Sequence, residues 1–221
     1  MDGMSNFEPY TIGEKINLTN VYDSVTFKNE SSFLSKDDKN YFNFYTEKEF
    51  YVSGDVNKLL SLTEELLIPD YSFYRLFENT LITSMPTICF NDFNASLSCC
   101  EEMFMNCKQL NILTKASFLS LAESCYKSMF KGCENLTTSL LLPALELVSN
   151  CYESMFEDCI NLKQSFEISA ITLANSCYKR MFYNCQSLEV APDLLALILS
   201  DNCYESMFEN CLSLNEIDVG F

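Results

Sequence analysis

The side chains with most chemistry to offer are twelve cysteines in 221 residues, with no histidine anywhere in the chain. Thiolates can ligate zinc, attack carbonyls or close disulfides, so their spacing decides between these roles. Ten fall at two positions of one phrase, Cys-Tyr-x-x-Met-Phe-x-x-Cys-x-x-Leu: 99 and 107, 125 and 133, 151 and 159, 177 and 185, 203 and 211. A Cys-x7-Cys spacing is not that of a zinc site, and without histidine neither a Cys/His metal set nor a Cys–His nucleophile can be assembled. Equivalent positions in successive repeats form columns, so these thiols would point inward side by side rather than at each other, which is poor disulfide geometry. Buried free cysteine behaves as a small hydrophobe, and the ten read as core thiols. The adjacent pair Cys99-Cys100 reads as a cysteine standing in a core tyrosine position, not as a redox centre. The acidic residues fall mostly at cap and surface positions, where capping or solvation explains them. No catalytic constellation is visible. The expectation is a protein that is not an enzyme and uses no cofactor and no metal.

The phrase starts at Cys99, Cys125, Cys151, Cys177 and Cys203, a 26-residue period without slippage. A constant period in this range predicts a solenoid, in which units too small to bury their own apolar face bury it against their neighbours. A degenerate unit, 72–98, precedes these five. Ser72 and Thr80 replace its cysteines, and it is longer than the others by a single residue. Ser98, Ser124, Asn150, Ser176 and Asn202 precede the first cysteines and read as helix N-caps, with Glu101, Glu153 and Glu205 completing capping boxes. Asn106, Gly132, Asp158, Asn184 and Asn210 precede the second cysteines and are residues that tolerate the left-handed conformation that ends a helix. A helix of about two turns per unit follows, too short to stand alone. The leucine column Leu110, Leu136, Leu162, Leu188, Leu214 comes next, then an extended segment interrupted by Pro143 and Pro192. The fold class is therefore an α/β solenoid with one short helix and one short strand per 26-residue unit. The series Glu101, Lys127, Glu153, Lys179, Glu205 alternates in sign and predicts opposite charges side by side in adjacent coils.

Residues 1–60 lack the phrase and alternate in short aromatic and β-branched stretches such as Tyr10-Thr11-Ile12, Ser24-Val25-Thr26-Phe27 and Tyr41-Phe42-Asn43-Phe44, which predicts a small N-terminal β module, either an attachment module or a cap on the array at 61–221. Residues 55–68 read as helical.

Composition narrows the partners. A net charge of −17 with no basic cluster argues against nucleic acid and anionic membranes. Apolar runs such as Leu194–Leu199 are about a third of a transmembrane span, so no membrane insertion is expected. The opening residues, Met1-Asp2-Gly3-Met4-Ser5-Asn6, lack a basic start and an apolar core, so export by the general route is not expected either.

The repeat phrase, with the apolar segment Leu142-Pro143-Ala144 that follows it and the upstream stretch from Phe50-Tyr51-Val52-Ser53-Gly54-Asp55-Val56 to Leu59-Leu60, resembles the BspA-type leucine-rich repeats. These occur in surface proteins of gut bacteria, in proteins of their phages and in some parasitic protists. The resemblance implies a right-handed leucine-rich repeat solenoid with a parallel sheet on one face. It implies adhesion, protein binding or a structural role in a virion or at a cell surface, with no catalytic residues to transfer. The expected setting is a phage virion, as a decoration, fibre or tail protein. A bacterial or protist cell-surface adhesin and an intracellular, cytoplasmic interaction module are the alternatives. The candidate binding face consists of the polar columns beside the leucines: Gln109, Asn135, Asn161 and Ser187 on one side, Asn111, Thr137, Lys163 and Glu189 on the other. They would meet a protein or host-surface partner. The last strand region, with Ile217, Val219 and Phe221, is a candidate docking end for another subunit.

Overall fold

The structure, a computed structural model, describes residues 37–44, 46–52, 68–85, 88–89, 94–111, 113, 116–117, 121–165 and 167–220. The strands expected before residue 37, the helical stretch at 55–67 and Phe221 lie outside the described residues.

The segment before each second cysteine departs from expectation: no helix is present among the described residues. In the unit that opens at Ser98, alternate N–H groups take different routes. Those of Cys99, Glu101, Met103, Met105 and Cys107 donate to the carbonyl three residues back, at 3.0–3.3 Å. Those of Ser98, Cys100, Glu102, Phe104 and Asn106 donate to Glu123, Cys125, Lys127, Met129 and Lys131 of the next coil, at 2.7–3.1 Å. The same alternation links every later pair of coils, and the acceptor always stands one place before the donor's own equivalent in the next coil. In the degenerate unit the donors are Tyr71, Phe73, Arg75, Phe77 and Asn79. Their acceptors keep that relation to the next coil, which absorbs the extra residue.

Left-handed residues produce this path. Each unit has three, four residues apart, as in Ser98, Glu102 and Asn106, and the non-glycine ones have φ of 50–64°. Each reverses the local turn and points the next N–H along the stack. A helix of the same length would leave the first four N–H and last four C=O groups without partners, nearly its whole complement. With a neighbour on either side, the alternating arrangement satisfies both sets. The proposed N-cap residues thus occupy the first left-handed position; Ser and Asn suit both settings. The residues expected to be left-handed, Asn106, Gly132, Asp158, Asn184 and Asn210, are left-handed.

In-register stacking places each residue type on its own kind. Phe44, Phe77, Phe104, Phe130, Phe156, Phe182 and Phe208 form a continuous pile with centroids 5.3–5.8 Å apart and planes within 10° of parallel. Tyr126, Tyr152, Tyr178 and Tyr204 form a second at 5.9–6.0 Å. Such stacked pairs add about 0.5–1.5 kcal/mol each beyond the area they bury. The methionine column from Met103 to Met207 and the leucines from Leu110 to Leu188 complete the buried interior. Residues 37–44 and 46–52 lie on the degenerate unit: Phe44 extends the phenylalanine pile, its N–H donates to Leu76 O at 2.9 Å, and Phe50 bridges Ile82.

The second half of each unit pairs only at points. β1 (Ile88–Cys89) runs parallel to β2 (Ala116–Ser117). Further on, single parallel bridges recur every four residues along the chain: Thr138 to Gln164 to Val190, Leu142 to Ile168, and Glu146 to Thr172 to Ile198. No helix of the described residues is long and apolar enough to cross a membrane.

Gly132 tests the left-handed path. Its φ is 72°, and an added Cβ would lie 2.4 Å from Asn106 Oδ1, a side-chain end that can move. Gly132→Val is expected to destabilise by about 1–3 kcal/mol, because a β-branched residue resists φ > 0. Gly132→Asn, the residue type already present at 106 and 184, should lie within about 0.5 kcal/mol of wild type. Denaturant unfolding of the two variants checks the difference.

Candidate functional site

The cysteines resolve first. Among the described residues eleven are free thiols; ten of these are buried and Cys211 is partly exposed. In the second column each thiol donates to the carbonyl of the phenylalanine one coil back: Cys107 to Phe77, Cys133 to Phe104, Cys159 to Phe130, Cys185 to Phe156 and Cys211 to Phe182, at 2.9–3.2 Å. Each of those carbonyls already accepts from the N–H three residues on; at Phe104, Phe130, Phe156 and Phe182 the thiol fills the second lone pair, while Phe77 O also accepts from the Thr80 hydroxyl. Burial pushes Cys107 and Cys211 up to about 11 and Cys151 up to about 12, which removes the thiolate that nucleophilic chemistry requires. In the adjacent pair, burial pushes Cys100 up, while the hydrogen bond from Cys100 holds Cys99 below the ordinary thiol range. The phenols of Tyr152 and Tyr178 are buried without a hydrogen-bond partner, and burial holds both above the ordinary tyrosine range.

The polar columns come together on the surface. Asn135 Nδ2 donates to Gln109 Oε1 at 3.2 Å, and Asn161 Nδ2 to Glu134 O at 2.9 Å. Ser187 N donates to Ile160 O at 3.1 Å. On the other side the N–H of Lys163 donates to Thr137 O and that of Glu189 to Lys163 O, both at 3.0 Å, while Asn111 N donates to Thr83 O at 3.2 Å. Asn111, Thr137, Lys163 and Glu189 are all exposed, as are Asn135 and Asn161; Gln109 and Ser187 are half-buried. At the far end Val219 bridges Leu194, and Ile217 and Val219 are exposed.

Of the four neighbouring pairs in the alternating series, two form ion pairs, Lys127 to Glu153 at 3.4 Å and Lys179 to Glu205 at 2.9 Å; Glu101 with Lys127 and Glu153 with Lys179 do not. A deeper cluster escapes sequence reading. Glu157, with 5% of its side chain exposed, accepts from Lys131 at 3.0 Å and from Arg180 at 2.7 and 3.1 Å. The Arg180 guanidinium lies 3.6 Å from the Tyr183 ring centroid. Burial alone would raise the Glu157 carboxyl, but hydrogen bonds from Arg180, Ser154 and Lys131 outweigh it and hold the group at about 2. Arg180 belongs to the middle left-handed column with Glu102, Ser128, Ser154 and Ser206, whose composition gave no turn signal. The available signal was the pair Lys131 and Glu157, which occupy equivalent positions in successive repeats.

This surface offers hydrogen bonding and charge. Among the described residues no three Cys, Asp or Glu side chains converge on a metal-sized site. Compared with protein-family models, with curated proteins and with solved structures, the chain matches none of them.

Glu157 sets a pH dependence. Its carboxyl lies below the ordinary 4.5, so its contribution, on the order of 2–3 kcal/mol, is complete above pH 5 or so. It is lost as pH falls through the folded value of about 2. Glu157→Gln should be destabilised near pH 6, and its gap to wild type should narrow by pH 3. Urea unfolding at the two pH values measures this; a gap that is constant or wider at pH 3 rejects the assignment.

Proposed function

We propose that the chain is a leucine-rich repeat solenoid of the BspA type that acts without catalysis, as a structural and protein-binding component of a phage particle. There it would serve as a decoration, fibre or tail protein for assembly or host-surface attachment. One observation carries the binding role. Thr137, Lys163 and Glu189 occupy one structural position, are joined by backbone hydrogen bonds of 3.0 Å and face solvent with three different chemistries. The inward cysteine, methionine, phenylalanine and leucine columns of the phrase repeat one residue type from the unit at Cys99 onward, whereas this outward one changes at every coil. A rigid backbone presenting a varied row of side chains suits recognition of a macromolecular partner. The particle setting rests on the resemblance of the repeat phrase to bacterial surface and phage proteins. The acidity fits a component that stays off packaged nucleic acid.

Mass spectrometry of purified particles and of cell fractions from the source tests the setting. The chain should be found in particles at a copy number that fits a particle symmetry. Confinement to the cytosol or the envelope would overturn the particle assignment. For the face itself, Thr137→Ala, Lys163→Ala and Glu189→Ala combined should weaken partner or host-surface attachment at least tenfold with unfolding unchanged. Full retained attachment would remove these columns from the binding role.

A further inference from the structure

A second surface lies further along the same coils. Leu145, Ile171 and Leu197 occupy equivalent positions in successive repeats, and the N–H of each later residue donates to the carbonyl of the earlier one, at 2.9 and 3.0 Å. They are 55, 43 and 77% exposed. Leu141 and Leu195, at the outward positions nearby, are about half exposed. Inward positions of the same segments, Leu142, Ala144 and Leu147, are buried, so the core does not need the outward aliphatics. Outward strand positions are where polar residues ordinarily stand.

The charges around this strip are one-sided. Segments 137–149, 163–175 and 189–201 carry Glu146, Glu167, Glu189, Asp193 and Asp201 against a single cation, Lys163. All five carboxylates are exposed, and none forms an ion pair with a described residue. An acid-rimmed aliphatic strip repels a second copy of the same strip and an anionic membrane. It complements a polypeptide that carries apolar and cationic side chains together.

We propose that the Leu145–Ile171–Leu197 strip is a docking site for a cationic amphipathic segment of a partner protein. Aliphatic side chains of that segment pack on the strip, and its lysines or arginines lie against Glu146, Glu167 and Asp193. This site is separate from the polar columns and stands or falls independently of them.

The probe is a fluorescently labelled synthetic peptide of alternating leucine and lysine, with its leucine–glutamate counterpart as control, titrated into the full chain by anisotropy. The cationic peptide should bind saturably, weaken as salt rises, and bind at least tenfold more weakly to the triple variant Leu145→Ser, Ile171→Ser, Leu197→Ser. Glu167→Gln with Asp193→Asn should weaken it as well, and the acidic peptide should not bind. Alanines at Asn111, Asn135 and Thr137, uncharged residues of the polar columns, should leave peptide binding unchanged. The serine variant keeps the net charge, so undiminished binding to it would reduce the effect to general acidity and overturn the proposal. Peptide binding lost with the polar-column alanines would also overturn it, as would a wild-type dimer in sedimentation velocity that the serine variant abolishes. Thermal unfolding confirms that the variants fold. Should the triple variant not fold, Leu197→Ser alone, at the most exposed of the three, supplies the comparison.

Discussion

The rest of the structure depends on the hydrogen bonds between coils made by alternate N–H groups of the phrase segment. Five such bonds join each pair of coils, and the left-handed residues every fourth position make them possible. An ordinary residue in that conformation costs roughly 1–2 kcal/mol, less for Asn, Asp and Gly. The offset is collective: the bonds form only when neighbours are in register, so a unit alone has no reason to adopt this path. Stability then becomes a sum over junctions rather than a property of any unit. The extra residue of the degenerate unit is taken up by donors that reach one place further along the chain.

Register also dictates composition. With one unit per layer, each buried position meets its own equivalents above and below, so it must be filled by a residue that packs on itself. Flat rings do this, and phenylalanine and tyrosine each claim a pile. The second cysteine does more than fill volume. At Cys133, Cys159, Cys185 and Cys211 its thiol supplies a donor to a phenylalanine carbonyl of the previous coil that a valine or alanine would leave with one partner. Where threonine replaces it, at Thr80, the hydroxyl instead bonds Phe77 O within its own unit at 2.8 Å. The chemistry that made the cysteines conspicuous is spent inside the wall, and the surface is left to side chains that vary from coil to coil.

Much of this was legible from spacing. The 26-residue period located the buried columns, the alternation of Glu101, Lys127, Glu153, Lys179 and Glu205 located two ion pairs of the four it implies, and Asn106, Gly132, Asp158, Asn184 and Asn210 marked left-handed turns. The helix was misread because capping signals and left-handed turn signals use the same residues: Ser98 or Asn150 fits either, and only the neighbouring coil decides. Glu102 and Arg180 could not be foreseen at positive φ, since their side chains carry no such preference and the path is imposed by the ladder. The Glu157 cluster joins three coils through an arginine at an offset of 23, which a search along columns passes over. The candidate faces were partly visible. The polar columns follow directly from the leucine column, whereas the aliphatic strip needed the inward or outward sense of Leu145, Ile171 and Leu197.

The ladder, and with it both surfaces, can be tested at one amide. Through-hydrogen-bond NMR couplings measured on the labelled protein identify the acceptor of Ser128 N–H, which lies 2.8 Å from Glu153 O in the next coil. The expected result is a coupling to the Glu153 carbonyl, with a scalar coupling at Ser128 that reports positive φ. A coupling to the Ser124 carbonyl, one helical turn back, would show a helix in its place and contradict the account.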